Sequence, residues 1–213
     1  MEFRPRLALA LCLVSLAVSA CAGLSSNALP PGAVLFKDDF SSSTSGWDRF
    51  KSAEGTMDYD AGAYRILVNA LQVDFRATPH QDFGNVRLEA DAGKIGGPDE
   101  NRIGLICRYT GSQYYFFVIS SDGYYGVGIF RNGQATLLGQ SEMQSSDEIK
   151  TGAAVNHLRA DCNGDTLTLF VNGTQLAQVH DPNLSHGDVG LLAGTFTHPG
   201  VDVIFDNFMV MKP

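Results

Sequence analysis

The alternation of apolar and polar positions along the chain predicts β-strands. In the middle of the sequence it predicts three in succession, Ile103–Tyr109, Tyr114–Ser120 and Tyr124–Arg131. Gly111-Ser112 and Asp122-Gly123 separate them, and Asp-Gly between two aromatic runs is typical of a β-hairpin. The three strands are therefore expected to lie side by side at the centre of the fold.

The middle strand of this group is apolar at both alternating sets of positions. One face carries Tyr114, Phe116 and Val118, and the other carries Tyr115, Phe117 and Ile119. A strand with one solvated face would alternate apolar and polar residues. The pattern therefore predicts a strand covered on both sides, by a second sheet on one side and by a loop, a ligand or a partner on the other.

The rest of the chain after residue 33 continues in the same way. Strands recur about every ten residues with turn residues between them, and no stretch of ten or more residues shows a 3.6-residue period with helix caps. This pattern predicts an all-β sandwich or jelly roll. The further predicted strands are Val34–Phe40, Tyr64–Val68, Leu71–Arg76, Asn85–Ala92, Ala135–Gly139, Asn156–Cys162, Thr166–Val171, Gln175–His180, Gly187–Phe196 and Val201–Met211.

The N-terminal segment has the pattern of an export signal. Arg4 and Arg6 precede an apolar run from Leu7 to Val18 that is too short for an ordinary transmembrane helix. The following Val18-Ser19-Ala20-Cys21 resembles the bacterial lipobox, in which the cysteine is lipidated and becomes the new N-terminus. The alternative is a plain secretory signal with Cys21 as an incidental thiol.

These features predict three parts of the chain and a location. Residues 1–20 are expected to be a lipoprotein signal peptide, 21–33 the lipidated Cys21 with a small, Pro-containing tether, and 34–213 the β domain. The protein would then be exported and held on a bacterial membrane through its lipid, in the cell envelope or at the cell surface. The formal net charge of −8 argues against nucleic acid as a partner and against electrostatic docking on anionic lipid.

The cysteines agree with export. Of the four, Cys12 leaves with the signal peptide and Cys21 takes the lipid, so Cys107 and Cys162 remain, each inside a predicted strand. In an oxidising compartment these two are expected to form one disulfide, and the alternative is a pair of buried free thiols. No CxxC occurs, so the spacing is not that of a zinc site.

Several segments together resemble the concanavalin A-like lectin/glucanase superfamily, and more closely its laminin-G-like and DUF1080 (3-keto-disaccharide hydrolase-type) branch. They are FKDDFSSSTSGWDRF, GLICRY with QYYFFVISSDGYYGVGIFR, LRADCNGDTLTLFVNGTQLAQVHD, GDVGLLAGT and VDVIFDNFMV. The resemblance covers about Val34 to Val210 and implies a jelly roll of two antiparallel sheets, one of them concave and commonly holding carbohydrate. Because this fold hosts lectins, glycosidases and non-catalytic modules, it implies a fold more than a function.

The acidic residues give little support to a catalytic function. Retaining glucanases of the superfamily carry E-x-D-x-x-E, and Glu89-Ala90-Asp91 matches its first half, but Gly93 and Lys94 stand where the pattern ends in Glu. Glycoside hydrolysis needs two positioned carboxylates. Glu89 and Asp91 are therefore interpreted as a solvated strand face beside Arg87, and no catalytic residue is predicted.

The aromatic residues of the three central strands give more support to a binding function. A sugar ring packs on an aromatic ring while hydroxyl and guanidinium groups supply hydrogen bonds. We therefore predict a carbohydrate-binding surface, the alternative being that most of these residues form the core. The predicted ligand-binding residues are Arg108, Tyr109, Tyr115, Phe117 and Tyr125.

A structural calcium ion is a further hypothesis. The first and last strands of a jelly roll are usually neighbours, which would bring Asp38 and Asp39 near Asp206, and calcium prefers several oxygen ligands. The alternative is three acids at strand ends without a metal.

The sequence thus predicts a non-catalytic, lipid-anchored binding module for a glycan or another cell-envelope component. A DUF1080-type glycoside hydrolase and a structural or protein-interaction module remain as alternatives.

Overall fold

The computed structural model describes residues 1–2 and 29–213, which contain sixteen β-strands and no helix. No helix in this described part is therefore long and apolar enough to cross a membrane. Residues 3–20 of the predicted signal peptide and Cys21 lie outside the described residues. The strands are β1 (Val34–Asp38), β2 (Phe50–Ser52), β3 (Gly55–Asp60), β4 (Ala63–Val68), β5 (Asp74–Ala77), β6 (Val86–Gly96), β7 (Asn101–Tyr109), β8 (Tyr114–Ile119), β9 (Tyr124–Arg131), β10 (Gln134–Leu137), β11 (Gln144–Ser145), β12 (Val155–Asn163), β13 (Thr166–Val171), β14 (Thr174–His180), β15 (Asp188–Thr195) and β16 (Val201–Met211).

The strands form two antiparallel sheets, as the sequence pattern predicts. The nine-stranded sheet has the order β14-β13-β12-β6-β16-β4-β3-β2, with β1 also paired to β16. The seven-stranded sheet has the order β10-β9-β8-β7-β15-β5, with β11 also paired to β9. The pairing of β1 with β16 confirms that the first and last strands are neighbours. The fold is an all-β jelly-roll sandwich.

One large core fills the space between the two sheets. The nine-stranded sheet contributes alternate residues of β6, where Val86, Leu88, Ala90 and Ala92 are buried as the alternation predicts. The seven-stranded sheet contributes one face of β8, including Phe117. Burial of this apolar surface supplies the main driving force for folding.

A disulfide joins the two sheets through this core. Cys107 lies on β7 and Cys162 on β12, both are fully buried, and their sulfur atoms are bonded. This confirms the predicted pairing. Because β7 is a central strand of the seven-stranded sheet, the bond fixes that sheet directly to its partner.

Three local expectations are corrected. Strands β2 and β3 were not predicted, and they extend the nine-stranded sheet at one edge. The predicted strand Leu71–Arg76 begins later, at Asp74, because Leu71 is exposed and Gln72 has a positive φ of 56°. Strand β6 continues to Gly96 where a loop was expected, since Lys94 and Gly96 pair with β16.

Candidate functional site

The seven-stranded sheet carries a second apolar cluster on its outer face, away from the main core. The cluster consists of Ile106, Tyr114, Phe116, Val118 and Leu192, all nearly inaccessible to solvent. Strand β8 is therefore covered on both sides, as its apolar pattern predicts. Half-buried Tyr109, Phe130, Leu137 and Met143 pack on the cluster from neighbouring segments.

Strand register arranges this outer face in rows. Phe116 pairs with Ile106 of β7 and with Gly128 of β9, and Val118 pairs with Gly104 and Gly126 in the same way. A side chain at Gly128 would collide with the Phe116 ring, and one at Gly126 would come within 2.8 Å of Leu137. Glycine on the flanking strands therefore leaves room for the large residues of β8 to lie flat on the sheet.

One row of the outer face carries charge. Asp74 of β5 and Arg102 of β7 flank Gly194 of β15, and Arg102 Nε donates to Asp74 Oδ1 at 2.6 Å. Arg102 also donates to the Thr195 carbonyl at 2.7 Å and stacks over the ring of Phe196, 4.3 Å from its centroid. A side chain at Gly194 would collide with the Asp74 carboxylate, so glycine is required for this ion pair.

The Asp74–Arg102 pair is sheltered from solvent. The side chains are only 17% and 21% exposed. Burial raises the pKa of the Asp74 carboxyl, and the Arg102 guanidinium opposes this effect. The pair supplies polar groups at the edge of an otherwise apolar surface.

A second arginine closes the opposite side of the apolar cluster. The Arg76 guanidinium lies 5.1 Å from the centroid of the Tyr114 ring and 5.7 Å from that of Phe130. These two rings are stacked on each other, with centroids 5.1 Å apart and planes 14° from parallel. Arg76 Nη1 donates to the Tyr114 hydroxyl at 3.2 Å and to the Asp74 carbonyl at 3.2 Å.

The contact between Arg76 and Tyr114 crosses the outer face of the sheet. Strands β15 and β7 separate β5 from β8. Neighbouring strands are about 4.8 Å apart, so the two side chains together reach across about 14 Å of sheet. Arg76 therefore links the edge strand β5 to the aromatic residues of β8.

The outer surface forms a small cavity, which we call the trough. It has a volume of about 150 Å³. Residues of β10 and of the segment that follows it form the wall opposite Asp74. Cavities of about this volume hold one benzene-sized ring. The trough is lined by Asp74, Arg102, Phe116, Val118, Ala135, Leu137, Met143, Leu192 and Phe196.

The structure places three of the predicted ligand-binding residues in the protein interior. Arg108, Tyr115 and Phe117 are each at most 1% exposed. Phe117 packs in the core between the sheets, and the Tyr115 hydroxyl donates to Asp181 Oδ1 at 2.5 Å. All three side chains are therefore interior residues in this structure, as the alternative interpretation of the aromatic residues expected.

Arg108 is held by neutral groups in this interior. Its Nη1 donates to the Leu184 carbonyl at 2.6 Å, and its guanidinium lies 5.9 Å from the centroid of the Tyr115 ring. Burial lowers the pKa of Arg108. The residue ties the loop before β15 to the end of β7 and does not face the trough.

The two remaining predicted ligand-binding residues lie on opposite sides of the sheet. Tyr125 is half-buried against the main core. Tyr109 belongs to the outer face, where its ring centroid is 5.9 Å from that of Tyr114. The predicted residues therefore lie on strands that contribute to the outer apolar cluster, but most of them face the protein interior.

The acidic residues predicted to bind calcium are engaged in local contacts. Asp38 accepts hydrogen bonds from the Trp47 indole at 2.9 Å and from the Phe40 amide at 2.8 Å. Asp39 accepts from Ser41, and Asp206 accepts from the Asn207 amide. Among residues 1–2 and 29–213, no group of three or more His, Cys, Asp and Glu side chains is placed to hold a metal ion. Calcium binding stays a prediction.

Glu89 and Asp91 lie on the outer face of the nine-stranded sheet, on the other side of the molecule from the trough. Both are half-buried, which confirms their predicted orientation on β6. Asp91 contacts His157 Nδ1 at 2.9 Å and accepts from Asn207 Nδ2 at 2.9 Å. The predicted neighbour Arg87 instead pairs with Asp161 at 3.0 Å. These carboxylates therefore belong to the polar surface of the nine-stranded sheet and do not line the trough.

No family model matches the sequence, and no curated protein matches it either. Solved structures do resemble the fold. A Bacillus subtilis protein of unknown function with a galectin-like fold superposes with a TM-score of 0.62 at 13% identity, over 86% of this chain and 97% of that one.

Two further structures have names that refer to carbohydrate. The carbohydrate-binding module CBM66 from Bacillus subtilis gives a TM-score of 0.54 at 17% identity, over 78% of this chain and 95% of that one. A laminarinase from Flavobacterium sp. UMI-01 gives 0.58 at 12% identity, over 84% and 99%. At these identities the likeness establishes the fold alone, which is the jelly roll of galectin-like and concanavalin A-like domains.

Proposed function

We propose that this protein is a carbohydrate-binding module that holds its ligand in the trough of the seven-stranded sheet. The observation that carries the proposal is the composition of this cavity. An apolar floor built on Phe116 and Leu192 lies beside a sheltered Asp74–Arg102 pair. Sugars need this combination, because their apolar ring faces pack on hydrophobic side chains while their hydroxyl groups require directed polar partners.

The solved structures support the same class of ligand. A carbohydrate-binding module and a laminarinase share the fold over most of their length. Because folds are reused for different functions, this support is secondary to the chemistry of the trough.

Binding is favoured over hydrolysis by the number of carboxylates. Retaining hydrolysis requires two carboxylates about 5–5.5 Å apart, and inversion requires a pair somewhat further apart. Within residues 29–213, Asp74 is the one acidic residue that lines the trough, and it is paired with Arg102. Glu89 and Asp91 lie on the other sheet.

Blocking the trough tests the proposal. Ala135→Trp adds an indole at an exposed position on its wall, and Val155→Trp adds the same group on the outer face of the other sheet as a matched control. We expect a glycan-array screen of the full chain to give saturable binding. We expect Ala135→Trp to weaken that binding at least about tenfold by steric exclusion, and Val155→Trp to leave it unchanged.

An array without any hit, or equal binding by the two variants, would argue against the proposal and favour a structural or interaction module. The same screen in EDTA examines the calcium hypothesis. Retained affinity after chelation would remove calcium from the binding function.

We also propose that the protein is exported and carried on a bacterial membrane by a lipid on Cys21. The disulfide between Cys107 and Cys162 supports export, because structural disulfides persist in oxidising compartments. We expect Cys21→Ala to move the protein from the membrane fraction to the soluble exported fraction, since lipid chains provide the attachment. Mass spectrometry of the N-terminal peptide without any added lipid mass would contradict this.

A further inference from the structure

We propose that the trough selects saccharides that carry a carboxylate or sulfate group, and that Arg76 binds this anionic group. The inference rests on the proposed function and specifies its ligand class. It follows from an imbalance of charge at the trough and from the free hydrogen-bonding capacity of one guanidinium.

Arg76 has only neutral partners. Its Nη1 bonds to the Tyr114 hydroxyl and the Asp74 carbonyl, and its plane lies near the rings of Tyr114 and Phe130. Burial raises the pKa of Tyr114 to about 12, so this hydroxyl is uncharged at neutral pH. Nothing that touches the Arg76 guanidinium therefore cancels its charge.

Two nitrogens of Arg76 have unused donors. Nε is buried and makes no hydrogen bond, and Nη2 makes none with any residue in the described part of the chain. The buried Nε is closed to a ligand, whereas Nη2 is not among the buried atoms. Nη2 is therefore the donor that a carboxylate or sulfate oxygen can reach, in a charge-assisted hydrogen bond.

The other charges at the trough do not offer Arg76 an ion pair. The Asp74 carboxylate is bound directly by Arg102, at 2.6 Å. Asp74 and Arg102 line the trough and form an ion pair, and Arg76 lies beside it through its hydrogen bond to the Asp74 carbonyl, so this edge of the trough has an excess of one positive charge. The whole chain has a formal charge of −8. A positive charge beside the trough of an acidic protein attracts anionic ligands and disfavours their binding elsewhere.

The aromatic setting makes this anion site rigid. The Tyr114 and Phe130 rings support the guanidinium by cation–π contacts, and the Tyr114 side chain is only 1% exposed. A positioned guanidinium beside an apolar floor loses little freedom on binding, and the low local dielectric strengthens its attraction for an anion. The uncharged part of the sugar would then lie on the floor around Phe116.

A glycan array of matched pairs tests the inference on the full chain. Each uronate-bearing or sialate-bearing glycan is paired with its carboxyl-reduced form, and each sulfated glycan with its desulfated form. We expect at least about tenfold tighter binding to one acidic class than to its neutral counterpart, as a charge-assisted hydrogen bond provides. The carboxylate and sulfate arms show which anion is preferred.

Variants identify the residue responsible. We expect Arg76→Gln, which removes the charge, to lower affinity for the acidic glycan about ten- to a hundredfold and to bring it to the level of the neutral one. Arg159→Gln is the matched control, because Arg159 also stacks on an aromatic ring, that of Phe170, but on the other sheet. Arg76→Lys keeps the charge but does not place a donor at the position of Nη2, and we expect an intermediate affinity from this second variant.

The outcomes separate the two proposals. Equal or tighter binding of neutral glycans, or unchanged affinity in Arg76→Gln, would overturn the anionic selectivity while leaving carbohydrate binding in place. Absence of binding to every glycan would overturn both. With the wild-type chain alone, we also expect affinity for the acidic glycan to fall as salt rises while binding of neutral glycans stays constant.

Discussion

Replacing Cys107 and Cys162 together by alanine is expected to lower the free energy of unfolding by about 4 kcal/mol. The two cysteines are 55 positions apart in the sequence, and the chain-entropy model assigns about this stabilisation to a loop of that length. The bond joins β7 of the seven-stranded sheet to β12 of the nine-stranded sheet, so it restricts the unfolded chain without serving the trough directly.

Urea denaturation of the wild type and the Cys107→Ala/Cys162→Ala variant measures this effect as a shift in midpoint at similar slope. Wild-type protein unfolded in the presence of a reducing agent is the control, and its stability should approach that of the variant. The folded variant should retain ligand affinity, because neither sulfur lines the trough. A loss below about 1 kcal/mol would mean that the unfolded chain is already compact around these residues.

The strands that the sequence predicted correctly are those with strong alternation and clear turns. Strand β6 illustrates this, since its apolar residues occupy one face and its charged residues the other. Strands β2 and β3 were missed because their positions are mostly exposed or half-buried and carry no apolar alternation. They are strands because β4 provides hydrogen-bonding partners for β3, which in turn pairs with β2, and such pairing is not visible in local sequence.

The aromatic residues show a different limit of sequence reasoning. Strand β8 is apolar at every position, so its period of two identifies two faces but not which one is internal. Predicting Tyr115 and Phe117 as ligand-binding residues selected the internal face. The disulfide contained the missing information, because Tyr115 pairs with Cys107, and a cysteine bonded across the sandwich must point inward.

The polar groups of the trough were not predictable individually. Asp74 and Arg76 come from an edge strand whose start was placed three residues too early, and Arg102 lies on a central strand. Their convergence depends on the register across β15. The outward-facing glycines on β7, β9 and β15 were an available signal, since glycine in a strand marks a place where another group approaches closely.

Adjacent phenylalanines on β8 provide the sharpest test of the face assignment. Phe117→Ala is expected to reduce the free energy of unfolding by about 3–5 kcal/mol, because it leaves a cavity in the main core. Phe116→Ala removes a ring from the trough floor, and we expect a smaller loss of about 2 kcal/mol. Ligand affinity should change in the opposite sense, falling at least about tenfold for Phe116→Ala and little for Phe117→Ala.

Urea denaturation and glycan titration on the same preparations measure both quantities, at a temperature where circular dichroism shows each variant to be folded. Phe117→Leu is the milder substitute if Phe117→Ala does not fold, and it should retain wild-type affinity. Because the two residues are neighbours on one strand, general weakening of β8 would affect both variants alike. Wild-type affinity in Phe116→Ala would place the ligand away from the trough, whereas equal affinity losses in both variants would attribute the effect to the strand as a whole.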